Sequence, residues 1–125
     1  MHEYSIARAL VEQATSAARR GTDGRVTRVR CRVGVLRQVD RDMLLDAFEI
    51  AAEGSACAGA TLVVQTAWPR TWCEPCAREF EVRNWSWNCP VCGRAARGAH
   101  GGDELELETI DVECREQPCP AGGVT

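Results

Sequence analysis

The chain has 125 residues, 45% of them hydrophobic and 26% charged, with 15 Lys+Arg against 18 Asp+Glu and a formal charge of −3. That balance suits one compact domain with a small appendage, or two very small domains, and it excludes a disordered polyelectrolyte. An acidic chain also lacks the excess of cations on which non-specific nucleic-acid binding depends, and no apolar stretch approaches the roughly 20 residues needed to span a bilayer.

Residues 1–20 lack the basic-then-apolar layout of a signal peptide, because Glu3 and Glu12 interrupt them, so a cytoplasmic location is expected. Ile6, Leu10, Ala14 and Ala17/Ala18, with Val11 alongside, form one face of a helix over 3–20, and Gly21 supplies a stop. From 26 to 36 the pattern alternates, with Val29, Cys31, Val33 and Val35 on one face and Arg28, Arg30 and Arg32 on the other, as in a half-buried strand. Cys31 falls on the apolar face, where a thiol acts as a small core hydrophobe. Asp40 is suited to cap a second helix with Leu44, Ala47, Phe48 and Ala51 as its buried stripe, ending near Gly54. A strand over 60–66 follows, closed by Pro69.

Next come Cys73-Glu-Pro-Cys76 and Cys89-Pro-Val-Cys92, with 12 residues between the pairs. One short hairpin brings two such loops to a point and offers four thiolates to a closed, structural Zn²⁺ site. Four sulfur ligands leave no coordination position open, so the metal is not expected to be catalytic. Trp72, Trp85 and Trp87 are expected to wall the site. Eight cysteines also fit a secreted disulfide scaffold, but CxxC spacing without a signal peptide points to metal. Iron in a rubredoxin-like site is the main competing metal. The pair 89–92 suits it, whereas the first pair is followed by Ala77 rather than glycine. A thioredoxin-like redox role is weaker, because neither pair opens a helix after a strand.

After a turn rich in glycine (Gly98, Gly101, Gly102), residues 104–114 read as a last strand. Leu105 and Leu107 are out of phase with Ile110 and Val112, and a bulge near Glu108–Thr109 would return all four to one face. Neither half of the helix–strand pattern has enough strands to bury its helices alone. The expected fold is therefore α+β: a three-stranded sheet with two helices on one face, formed by 1–69 and 103–115, with an inserted zinc-ribbon domain at 70–102. A flexible tail is expected over 116–125.

The chain begins Met1-His2-Glu3. Methionine is removed mainly before small residues, so the amine of Met1 is expected to remain. That amine, the backbone nitrogen and imidazole of His2 and the backbone nitrogen of Glu3 form a nitrogen square that suits Ni²⁺ or Cu²⁺. On its own a histidine at position 2 is a weak signal. The ordered series is a strong one: Met1-His2-Glu3, Val33-Gly34-Val35-Leu36, Val39-Asp40, Ala47-Phe48-Glu49, Gly59-Ala60, the two CxxC pairs, Gly102-Asp103-Glu104-Leu105 and Ile110-Asp111-Val112-Glu113. Over residues 1–114 it resembles the HypA/HybF family of hydrogenase-maturation nickel metallochaperones.

The resemblance implies a nickel-binding α+β domain with an inserted zinc ribbon. It also implies Ni²⁺ as transient cargo, delivered to the [NiFe]-hydrogenase large-subunit precursor together with a partner maturation GTPase. Nickel positions carry over to Met1, His2 and Glu3, and zinc ligands to Cys73, Cys76, Cys89 and Cys92. No enzymatic activity, nucleic acid or membrane is implied. Some relatives place histidines beside the zinc cysteines, where this chain has Arg78 and Gly93, so histidine–thiolate switching is not expected here. His100 reads as a solvated loop residue. Cys57, Cys114 and Cys119 read as packing or incidental thiols. Two rival readings stay open from the residues alone: a zinc-ribbon adaptor in transcription or translation, and a thiol-exchange enzyme, for which the chain has little equipment.

Overall fold

The computed structural model describes residues 2–21, 24–113 and 122–123. Helix α1, His2–Gly21, buries Ile6, Ala7, Leu10, Val11, Ala14 and Ala18 at the three- and four-residue spacing read from the sequence. Glu3 in its first turn and Arg19 and Arg20 in its last complement the helix dipole. Strand β1, Arg25–Gly34, buries Val26, Val29, Cys31 and Val33. Thr27 and Arg28 are both exposed, so the inward phase shifts once near the strand's start.

β1 does not run on to Leu36 as expected. Val35–Arg37 curl into a 3-10 turn, and Gln38 ends it in the left-handed region at φ 53°. The cause is a close backbone approach. Gly34 N–H donates to Glu104 O and Leu36 N–H to Gly102 O, both at 2.7 Å. A Cβ at Gly34 would stand 2.1 Å from the Gly102 carbonyl oxygen, so only glycine fits.

Helix α2, Arg41–Ala52, starts where the sequence places its cap: the Asp40 carboxylate accepts from Met43 N–H at 3.0 Å. Asp40→Ala is expected to lower unfolding free energy by about 1 kcal/mol, measured by urea melts. The buried residues are Leu44, Ala47, Phe48 and Ala52, while Ala51 is only half-buried. Ala52 lies one turn beyond Phe48 and takes the inward position expected for its neighbour. α1 packs against α2. Asp40 N–H also donates to the Glu3 carboxylate at 3.2 Å, which ties the first turn of α1 to the start of α2.

Strand β2 is Thr61–Ala67. A hairpin of β3, Arg70–Cys73, and β4, Arg78–Glu81, follows, and then β5, Leu105–Glu113. The main sheet has the order β2-β1-β5, and Gly122–Gly123, expected within a flexible tail, instead extend it as a two-residue strand β6 antiparallel to β5 at Thr109 and Ile110. In β5, Ile110 and Val112 are buried and Leu105 and Leu107 half-buried. Across the sheet, Arg30 reaches both Asp111 carboxylate oxygens at 3.1 and 3.4 Å and Thr109 Oγ1 at 3.2 Å.

The chain divides into two compact units. The first takes the described residues of 1–32, 39–65 and 106–125 and holds both helices. The second takes 33–38 and 66–105, so the 3-10 turn after β1 groups with the inserted segment. Among the described residues no helix is long and apolar enough to cross a membrane.

Candidate metal centre

Inside the second unit the two CxxC loops converge. The four sulfurs of Cys73, Cys76, Cys89 and Cys92 all lie within 4.8 Å of one another. Cys73 and Cys92 Sγ are 3.5 Å apart, and Cys76 and Cys89 Sγ 3.9 Å. A tetrahedral site with Zn–S bonds of about 2.3 Å has edges of about 3.8 Å, so the donor set and its spacing fit Zn²⁺. All four are free thiols rather than disulfides.

The loops are alike in backbone. Ala77 (φ 50°) follows the first pair and Gly93 (φ 78°) the second, each in the left-handed conformation that folds the chain back toward its ligands. Gly93 N–H donates to Cys89 O at 2.8 Å, and Val91 N–H points at Cys89 Sγ from 3.4 Å. The first pair reaches the same turn with alanine, which is why the missing glycine misleads when read from sequence.

The expected tryptophan wall is not there. Trp72, Trp85 and Trp87 are 54%, 55% and 39% exposed. Alternation along β3 turns Thr71 and Cys73 inward and Trp72 outward, while Trp85 stands in a turn at φ 62°. Phe80 and Val82, with Cys73 and Cys89 and partial cover from Cys76 and Ala96, form the buried cluster instead. Phe80 and Val82 show the same alternation along β4 and its continuation, a signal legible in the sequence but outweighed there by the larger aromatic rings.

The thiols differ electrostatically. The Cys92 and Val91 backbone N–H groups, opposed by burial, bring Cys89 down to about 6. Burial and the neighbouring Cys92, Cys73 and Cys89 thiols push Cys76 up to about 12. At Cys73 the Cys76 N–H acts downward, but burial and the thiols of Cys92 and Cys89 outweigh it and leave the group raised. Near neutral pH Cys89 thus favours its thiolate, whereas Cys73 and Cys76 must shed protons when metal binds. Bound thiolates hold metal at high pH and lose it as protons compete. Zinc affinity is therefore expected to fall by at least about a hundredfold per pH unit from 8 to 7, and more steeply below about 6 where Cys89 also protonates. Competition with a chromophoric chelator across that range checks the slope.

His2 and Glu3 occupy the first turn of α1, and His2 is exposed. Met1 lies outside the described residues. Amides at a helix start have no intrahelical acceptor, so the nitrogens of His2 and Glu3 stand outside the helix ladder. The Glu3 carboxylate is already engaged by Asp40 N–H, which holds its carboxyl below the ordinary range. This contact is not apparent in sequence, because it depends on how α1 and α2 pack.

His100 is exposed, as expected, but its backbone is not loose. Arg70 and His100 exchange two backbone hydrogen bonds, and His100 Nε2 lies 3.6 Å from Glu79 Oε2. Cys31 and Cys57 are fully buried. Burial, with Glu108 nearby, pushes Cys31 up to about 11. Burial also raises Cys57, against hydrogen bonds from Thr15 and Ser55. Both are inert packing thiols, whereas Cys114 and Cys119 lie outside the described residues.

A family profile described as hydrogenase/urease nickel incorporation, metallochaperone, hypA, matches residues 1–112. The hydrogenase maturation factor HypA of Roseiflexus sp. (strain RS-1) is 39% identical over 114 residues, covering 90% of this chain and 93% of its own. Its counterpart from Streptomyces avermitilis is 38% identical over 115 residues, covering 90% and 88%. The solution structure of the Ni metallochaperone HypA from Helicobacter pylori shares the fold, with a TM-score of 0.63 at 23% identity, covering 92% of this chain and 100% of that one. With the profile spanning both the Met-His-Glu start and the four clustered thiols, this chain belongs to the HypA family of nickel-incorporation metallochaperones.

Proposed function

We propose that this protein carries Ni²⁺ as transient cargo at its N-terminus and helps deliver it to the [NiFe]-hydrogenase large-subunit precursor. The donors are the amine of Met1, the imidazole and amide nitrogens of His2 and the amide nitrogen of Glu3, a tetragonal nitrogen set suited to Ni²⁺. Family membership over residues 1–112, beginning at Met-His-Glu, is the observation that carries this reading. An exposed site on a helix's first turn holds metal more weakly than a closed cage, which favours hand-over. Metal binding to nitrogen donors is coupled to proton release, so nickel release is favoured as pH falls.

Residues 1–69 with 103–115 act as the nickel-binding domain, and 70–102 as a ribbon held by structural Zn²⁺ on Cys73, Cys76, Cys89 and Cys92. A maturation GTPase acts with the protein in the cytoplasm. The protein is a carrier rather than an enzyme and engages neither nucleic acid nor membrane. Transfer of radioactive nickel tests the reading. Preloaded protein is mixed with nickel-free large-subunit precursor, GTPase and GTP. Label is expected on the precursor, faster than from an equal dose of free nickel in the presence of a competing chelator. Equal or slower labelling contradicts it.

A further inference from the structure

Strand β3 has an unfinished edge. Its bonds to β4 and the residue beyond run through Pro69, Thr71 and Cys73: Val82 N–H donates to Pro69 O at 2.7 Å, and the register sets Thr71 opposite Phe80 and Cys73 opposite Arg78. The alternate residues turn their N–H and C=O to the other side. Arg70 does so and exchanges bonds of 2.7 and 2.8 Å with His100. Trp72 is next in the series, and a continued antiparallel ladder would pair it with Gly98. The Thr71 hydroxyl donates to Gly98 O instead, and among the described residues no backbone hydrogen bond joins Trp72 to 94–100. Trp72 is left without a strand partner on that side, and it helps line a cavity of about 610 Å³, within the size range of ligand sites.

The cavity has a charge preference. Arg94 and Arg97 line it against a single carboxylate, Glu74. Among the described residues no ion pair holds Arg94 or Arg97. The exposed face of Trp72 adds apolar surface. Cationic walls suit any polyanion, but a strand edge without a partner suits a peptide backbone, which a nucleic acid does not offer.

We propose that the groove between Trp72 and the 94–100 segment receives an extended acidic peptide segment of a partner protein, which adds a strand at Trp72 and sets its carboxylates against Arg94 and Arg97. This docking lies wholly within the ribbon and does not depend on nickel carriage.

Zinc-loaded, nickel-free full-length protein is titrated with a short fluorescent peptide, blocked at both ends, that alternates glutamate and valine. A lysine–valine peptide and a short oligouridylate serve as comparisons, all at physiological salt. The glutamate peptide is expected to bind at least about tenfold more tightly than the lysine peptide. Arg94→Glu with Arg97→Glu is expected to reverse that order at unchanged zinc content. The Trp72 amide proton is expected to shift downfield and exchange more slowly only with the glutamate peptide. Equal binding of the two peptides, no binding below about millimolar, an unmoved Trp72 amide, or displacement of the peptide by oligouridylate each overturns the proposal.

Discussion

Replacing Cys73 or Cys92 with alanine is expected to release zinc and unfold the second unit while the helical unit stays folded. Structural zinc contributes roughly 10–16 kcal/mol of apparent folding free energy in small modules. The buried cluster around the thiols has only Phe80 and Val82 as large apolar members. Each contributes about 1.5–3 kcal/mol by burial, too little to order the unit's loops without the metal. The helical unit has its own core of Leu10, Val29, Leu44 and Phe48. Metal analysis and amide NMR spectra read both halves of the prediction. Resonances of 66–105 are expected to collapse, while those of α1 and α2 persist. One zinc per chain in both variants, or loss of both units together, contradicts it.

His2→Ala is expected to weaken nickel binding by more than about a hundredfold at pH 7.5 and to leave zinc content and melting unchanged. Losing only a supporting contact to a metal ligand costs about 10–100-fold, and this change removes a ligand outright. His2 is exposed at the helix start, so its side chain contributes little to packing. Extending the chain by one residue ahead of Met1 displaces the amine and is expected to weaken binding comparably. Titration of zinc-loaded protein followed by calorimetry measures both. Unchanged affinity in either variant removes the N-terminal site.

Much of this was readable from residue patterns because it is local. The Asp40 cap needs only its own side chain and an amide three residues on. The CxxC pairs need only their spacing and a hairpin. The misreadings come where distant backbone decides. Val35 continues the strand alternation on paper, yet Gly102 draws the chain into a 3-10 turn. The tryptophans have the bulk to cover a metal, but strand alternation had already committed the inward positions to Thr71, Cys73 and Phe80. The 94–100 segment, rich in Ala, Gly and Arg, has little β-propensity, so its pairing with β3 at Arg70 left no trace in composition.

X-ray absorption at both metal edges, on protein holding one zinc and one nickel, tests most directly the claim that two ions are sorted by donor chemistry. Nickel is expected to be surrounded by nitrogen and oxygen alone, with four sulfurs kept around zinc. Sulfur in the nickel shell, with zinc expelled from Cys73, Cys76, Cys89 and Cys92, would contradict it.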